Sequence, residues 1–68
     1  MKKYYVNTQA QSNGDYQVHS EDCRHLPKLI NRIHLGIHSN CEDALTEAKK
    51  TFSHSNGCKK CSPECDTS

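Results

Sequence analysis

Apolar and polar residues alternate in two short segments near the start of the chain, and this pattern predicts a β-hairpin. Residues 3–8 and residues 15–19 each carry apolar side chains two positions apart, as a strand with one buried face does. The polar stretch between them contains Asn13-Gly14, a pair that tolerates the positive φ angles of tight hairpin turns. We expect four side chains of the hairpin to face a common core: Tyr4, Val6, Tyr16 and Val18.

The clearest alternation lies further along, in residues 32–38, and predicts a third strand. Ile33, Leu35 and Ile37 are separated by polar residues or glycine, so we expect one buried and one solvated face. The irregular segment before this strand contains a proline and three aliphatic residues that we expect to cover one end of the core: Leu26, Leu29 and Ile30.

A helical period follows, from about residue 40 to residue 52. Ser39 and Glu42 have the spacing of a capping box, with Ser39 as the N-cap. Acidic residues at the start and lysines at the end match the helix dipole. The apolar positions fall on one helical face, and they are Cys41, Leu45, Ala48 and Phe52.

The order of these elements predicts a small α+β domain with a three-stranded sheet (β-β-β-α), one helix and a C-terminal Cys-x-x-Cys turn. We expect a single domain over residues 1–68, ordered from about 3 to 63. Residues 64–68 are expected to form a flexible tail, and the domain is expected to be a monomer.

Composition shows that such a domain needs more than an apolar core. Hydrophobic residues make up 32% of 68 positions, and even with the 3 glycines added this lies below the roughly 45–50% of ordinary globular domains. Short chains with so little to bury are disordered or are held by cross-links or metal. The chain has five cysteines and five histidines, so cross-linking or metal binding is the favoured alternative.

The start of the chain and the cysteine count favour metal over disulfides. Lys2 and Lys3 are not followed by an apolar stretch, so a secretory signal is not predicted. No segment is apolar over the roughly 20 residues that cross a bilayer. We therefore expect a cytoplasmic protein with no membrane association, where thiols stay reduced. An odd number of cysteines would also leave one thiol over in a closed disulfide framework.

Two pairs of residues have the spacing of a metal site. Cys58-x-x-Cys61 presents two sulfurs from one tight turn, and His19-x-x-x-Cys23 supplies a second pair. Three thiolates and one imidazole suit tetrahedral Zn²⁺, and four protein ligands make a closed, structural site. Cys65 or His25 could replace His19 as the fourth ligand. We interpret Cys41 as a small buried side chain of the helix.

Charge gives little indication of a partner. The net charge is +1, so the chain has no strongly basic surface of the kind that nucleic-acid-binding domains show. Lys59 and Lys60 lie between the two cysteines of the Cys-x-x-Cys turn, where they would screen the thiolates or contact a phosphate backbone. Nucleic acid and protein remain open as partners.

Several short motifs resemble those of the Ada-type metal-binding domain. They are Val18-His19-x-x-x-Cys23, Asn31-Arg32-Ile33-His34-Leu35, the helix start from Ser39 to Ala44, and Gly57-Cys58-x-x-Cys61-x-Pro63. That family occurs at the N-terminus of the bacterial DNA alkyl-phosphotriester repair protein and as a module in nucleases and other proteins. The resemblance implies a small α/β zinc domain.

The resemblance departs from the family at the residue that carries its chemistry. In the repair protein, a zinc-bound cysteine thiolate accepts a methyl group, and His19 stands where that first cysteine would be. An imidazole is not a comparable alkyl acceptor. We therefore expect a non-enzymatic binding module. The alternatives are an alkyl acceptor or damage sensor using Cys23, Cys58, Cys61 or Cys65, and a thiol redox protein.

Overall fold

The two N-terminal segments form the predicted hairpin in a computed structural model that describes residues 1–67. Strands β1 (Lys2–Asn7) and β2 (Tyr16–Ser20) are antiparallel, with Val6 opposite Val18. Gly14 has φ +91° in the intervening turn, a conformation that costs glycine little. The predicted turn chemistry is therefore confirmed at this position.

The third strand spans the predicted residues but does not bury the predicted face. Strand β3 (Arg32–His38) pairs antiparallel with β1. Leu35 is buried, whereas Ile33 is 39% exposed and Ile37 is 56% exposed. The expectation that these three side chains share one buried face was therefore wrong.

A β-bulge explains the exposure of Ile37. Tyr4 pairs with Gly36 and Tyr5 pairs with His34, so Leu35 is an extra residue on β3. Gly36 adopts φ +98°, which is the kind of backbone that a bulge often requires. One extra residue exchanges the two faces of a strand, and Ile37 therefore lies opposite Lys3 on the exposed side.

The sheet has a fourth strand that the sequence did not predict. Strand β4 (Ser55–Gly57) lies parallel to β2, and the sheet order is β3-β1-β2-β4. The prediction of three strands was therefore wrong, although the small α+β class is confirmed. Ser-Asn-Gly has no apolar residue and a composition typical of turns, yet all three residues are buried.

The helix is shorter than predicted and begins with a different cap. Helix α1 spans Cys41–Lys49, and the side chain of Asn40 accepts a hydrogen bond of 2.9 Å from the backbone N–H of Asp43. Asn40 is therefore the N-cap in place of Ser39. Phe52 lies beyond the helix end and stacks on Tyr16, with ring centroids 4.1 Å apart.

The core lies between α1 and one face of the sheet. Its buried members include the predicted hairpin residues Tyr4, Val6 and Val18. The others are Leu35, Cys41, Ala44, Ala48 and Cys65. The cross-strand register places His19 opposite Tyr5, so His19 points to the sheet face that the helix does not cover.

The segment before β3 does not cover the end of the core. Leu29 and Ile30 are 77% and 86% exposed, contrary to the expectation from their apolar character. Arg32, the first residue of β3, is hydrogen-bonded to this segment: its guanidinium donates to the carbonyl of Pro27 at 3.0 Å. The same guanidinium lies 4.6 Å from the ring centroid of Tyr5.

The C-terminal residues are held against the domain. Pro63–Cys65 form a short 3-10 helix, and Cys65 is bonded to Cys41 of α1 through a disulfide. The backbone N–H of Thr67 donates to the side chain of Asn56 at 3.1 Å. Residues 65 and 67 of the predicted flexible tail make these contacts, the flexibility of the tail stays a prediction, and Ser68 lies outside the described residues. Within residues 1–67, no helix is long and apolar enough to cross a membrane.

We predict that Asn40→Ala lowers the free energy of unfolding by about 1 kcal/mol, because it removes the cap of α1. Ser39→Ala is the matched control and is expected to change stability by less than about 0.5 kcal/mol, since surface substitutions without such a role have small effects. Urea unfolding of both variants measures the difference. A larger loss for Ser39→Ala would contradict the cap assignment.

Candidate metal centre

Four side chains from two distant parts of the chain meet on the sheet face opposite the helix. They are His19, Cys23, Cys58 and Cys61, and their ligand atoms all lie within 4.8 Å of one another. These are the four residues that the sequence spacing predicts. The described residues therefore contain a cluster that can hold a metal ion.

The first pair is set by the end of β2 and the turn that follows it. His19 is the next-to-last residue of the strand. The backbone N–H of Cys23 donates to the carbonyl of Ser20 at 3.1 Å, and this closes a turn. The Ser20 hydroxyl also donates to Asp22 at 2.7 Å. The turn directs the Cys23 sulfur back toward the imidazole.

The second pair is carried by a loop of residues 57–62, which we call the knuckle. Its start is fixed because β4 pairs with β2, and the N–H of Cys58 donates to the carbonyl of Val18 at 3.0 Å. The N–H of Ser62 then donates to the carbonyl of Cys58 at 2.8 Å. Strand β4 therefore brings the knuckle beside the histidine.

Gly57 is required where β4 becomes the knuckle. A Cβ atom at this position would lie 2.7 Å from the Cβ of Cys65 and 2.7 Å from the carbonyl oxygen of Ser62. Any side chain here would force the knuckle away from the residues that follow it. The close packing of the backbone around this position therefore requires a glycine before Cys58.

The distances between the ligand atoms match a tetrahedral zinc site. The Cys23 sulfur lies 3.5 Å from Nδ1 of His19 and 3.9 Å from the Cys58 sulfur, and the Cys61 sulfur lies 4.0 Å from the same Nδ1. Bonds of about 2.3 Å to sulfur and 2.0–2.1 Å to nitrogen imply S···S edges of about 3.8 Å and N···S edges of about 3.5 Å. The three distances lie within about 0.5 Å of these edges, so the four residues could hold a metal ion.

Burial favours the uncharged forms of His19 and Cys23 in this cluster. Burial, together with the charge of His25, lowers the pKa of His19 to about 4, so its imidazole is neutral near pH 7. Burial also raises the pKa of the Cys23 thiol to about 12, and its hydrogen bond with Cys61 adds to the rise. A divalent cation would reverse this effect, because a coordinating thiol loses its proton.

The pKa of the Cys61 thiol is shifted in the opposite direction from that of Cys23. Burial alone would raise its pKa, but hydrogen bonds from Cys23, Ser20 and Ser62 together hold it below the usual value. The Ser20 backbone N–H lies 3.4 Å from the Cys61 sulfur, and the Ser62 hydroxyl lies 3.8 Å away. Such donors also orient a metal-bound thiolate. Cys61 is partly exposed, whereas Cys58 is 2% exposed.

The imidazole of His19 has no second hydrogen bond. Its Nδ1 faces the sulfurs, and its buried Nε2 has no partner among residues 1–67. Metal-bound histidines usually donate their other N–H to an acceptor, and an unsatisfied buried donor costs about 1–3 kcal/mol. Packing orients this ring, since the residue is only 1% exposed.

The alternative fourth ligands lie outside the cluster. Cys65 is 4% exposed and forms the disulfide with Cys41, so it offers no free sulfur. His25 is exposed beside the knuckle. Cys41 is buried as expected, but it is cross-linked as well. Five cysteines thus divide into three at the cluster and two in the disulfide, a division that the odd total allows.

The disulfide also bears on the cellular compartment. Disulfides persist mainly in oxidising compartments, and both sulfurs here lie in the core between α1 and the C-terminal segment. The disulfide therefore does not favour a cytoplasmic location, and that location stays a prediction. Sequence reasoning missed the pair, although the two cysteines left over from the metal motif were a signal.

No protein-family model, curated protein or solved structure matches this chain. The Ada-type resemblance therefore rests on the short motifs alone.

We predict that the unreduced protein, stripped of metal with a chelator, reacts with a thiol reagent at three cysteines per chain. Full reduction should raise the count to five, because it opens the Cys41–Cys65 disulfide. A Cys65→Ser variant gives the control, with four reactive thiols under both conditions. A count of five before reduction would show that the disulfide is absent.

Proposed function

We propose that this chain is a structural-zinc binding module, in which His19, Cys23, Cys58 and Cys61 hold one Zn²⁺ ion. The main support is that three sulfurs and one nitrogen lie within 4.8 Å of one another. Three thiolates and an imidazole are a donor set that zinc prefers over hard cations such as Mg²⁺ and Ca²⁺.

The donor set indicates a structural role for the ion. Catalytic zinc sites keep one position for water or substrate, whereas four protein ligands complete the tetrahedron. His19 and Cys58 are almost fully buried, so neither ligand is placed for easy exchange with solvent. We therefore propose no enzymatic activity for this centre.

The ion would stabilise the fold by joining distant segments. Cys23 and Cys58 are separated by 35 positions, and closing a long loop restricts the unfolded chain strongly. Zinc binding contributes on the order of 10–16 kcal/mol in zinc-finger peptides, comparable to the net stability of a whole domain. The zinc-loaded domain would then present its surface to a partner, as the Ada-type resemblance implies.

We predict that His19→Ala weakens zinc binding at least about a hundredfold, because it removes one ligand from a closed site. His25→Ala is the matched control and should retain the affinity, since His25 lies outside the cluster. Competition with a chromophoric chelator measures both affinities. Equal losses in the two variants, or no loss in either, would contradict the proposed ligand set.

A second candidate function is suggested by the partial exposure of Cys61. Cys61 lines a surface cleft together with Arg24, Lys60 and the Lys2–Asp22 salt bridge, so a zinc-bound thiolate would meet solvent beside two further cations. That environment suits an alkyl acceptor for anionic substrates. Intact-mass analysis of the zinc-loaded protein after treatment with a methylating agent tests this function, and Cys61→Ser is the control. A selective methyl adduct that disappears in the control would support it, and no adduct would exclude it.

A further inference from the structure

A second concave surface lies on the other side of the knuckle, and the zinc centre does not account for it. The cavity has a volume of about 330 Å³. Three separate parts of the chain form its walls: the hairpin turn, the exposed face of β2 and β4, and the knuckle. Its charged and amide side chains include Asp15, Gln17, His25, Asn56, Lys59 and Lys60, and Gln11 and the carboxylate of Asp66 also line it.

One wall presents a fixed carboxylate. The backbone N–H of Asp15 donates to the side chain of Asn13 at 2.9 Å, and its carbonyl accepts from Gln11 at 2.8 Å. These bonds hold the turn that carries Asp15. One carboxylate oxygen accepts weak bonds of 3.3 Å from Asn13 and 3.4 Å from Asn56. Among the described residues, no cation forms a salt bridge with Asp15.

The opposite wall presents cations. Lys59 and Lys60 are exposed on the knuckle and line the cavity. The part of the chain that the structure describes offers neither of them a salt bridge or a side-chain hydrogen bond. His25 adds a third basic side chain. Asp15 and these basic side chains thus line one cavity, and no salt bridge joins them within residues 1–67.

The floor of the cavity is rigid and offers amide groups. Asn56 is 7% exposed, and its side chain bonds to Asp15, Asp66 and the backbone of Thr67. Gln17 lies beside Asn56 in the register of the parallel strands. The Gln17 side chain has no hydrogen-bond partner within residues 1–67 and is available to a ligand.

The charges and the volume together specify the class of ligand. It needs an anionic group for the lysines and hydrogen-bond donors for a carboxylate that only accepts. Cavities of about 300–1,000 Å³ hold drug-sized ligands, so a free amino acid would leave much of this one empty. A nucleotide has the required size and carries a phosphate at one end and a base at the other. Among the bases, guanine presents two adjacent N–H donors that match the two oxygens of a carboxylate.

We propose that this cavity binds a guanine nucleotide, with the phosphate on Lys59 and Lys60 and the base edge on Asp15. Gln17 would donate to the guanine carbonyl. The proposal rests on the proposed function, because the knuckle that carries the lysines is held by the zinc ligands. The nucleotide is either free or one unit of a single strand, and both present the same groups to the cavity.

The test is a titration of the zinc-loaded protein followed by amide NMR, with guanosine monophosphate, guanosine, adenosine monophosphate and a short single-stranded oligoguanylate. Guanosine monophosphate or the oligoguanylate should saturate shifts at Asp15, Gln17, Lys59 and Lys60. Guanosine and adenosine monophosphate should each bind about tenfold or more weakly, since each lacks one set of charge-assisted bonds. Tighter binding of the oligoguanylate than of the mononucleotide would identify single-stranded nucleic acid as the source of the bound nucleotide.

Two variants test the assigned contacts. Asp15→Asn should abolish the preference for guanine over adenine, and Lys59→Gln with Lys60→Gln should abolish the preference for the phosphorylated nucleoside. Lys49→Gln with Lys50→Gln on the helix removes the same charge and should leave affinity within about twofold. No saturable shifts with any nucleotide, or equal losses in the two lysine pairs, would overturn the proposal.

Metal content is measured in every sample, so that failure of the zinc proposal can be distinguished from failure of the nucleotide proposal. Absence of nucleotide binding by a folded protein with one bound zinc would overturn only the nucleotide site. A protein that folds and binds guanosine monophosphate without zinc would overturn the structural role of the metal and keep the cavity.

Discussion

The close approach of three thiol sulfurs and one imidazole nitrogen is the constraint on which the rest of this structure depends. Four such ligand atoms lie within 4.8 Å of one another on the sheet face that the helix does not cover, and Cys61 is the partly exposed member. As thiolates they would repel one another, and as thiols they leave a polar cluster where a larger domain would have apolar packing. A cation with tetrahedral coordination would remove the repulsion, because its charge balances that of the thiolates. It would also occupy the space between the sulfurs.

Each face of the sheet has its own group of cysteines. On one face, Cys41 at the start of α1 is bonded to Cys65, and a few apolar residues pack around this bond. On the other face, a cluster that could hold a metal ion is formed by residues at the end of β2, in the turn after it and in the knuckle. Strand β4 connects the two, since it pairs with β2 and leads into the knuckle. A chain with only 32% hydrophobic residues thus has few positions that rely on apolar burial alone.

The residues that sequence reasoning located correctly are those with strong local or chemical patterns. The hairpin, β3 and the helix follow from periodicity, and the four cluster residues follow from the spacing of soft ligands. Strand β4 was missed because its three polar residues have no periodicity and are buried only through pairing with β2. The exposure of Ile37 was missed because a bulge at Leu35 depends on pairing with β1. The Cys41–Cys65 bond depends on the three-dimensional approach of the helix start and the C-terminal segment.

The most direct test of the account is amide dispersion and metal content before and after chelation. The protein should contain one zinc per chain and give a dispersed spectrum. Removal of the metal under non-reducing conditions should collapse the signals of β2, β4 and the knuckle, because the Cys41–Cys65 disulfide does not join residues 19–23 to the knuckle. One equivalent of zinc should restore the spectrum. An unchanged, fully dispersed spectrum after complete metal removal would contradict the central claim that the metal holds this fold together.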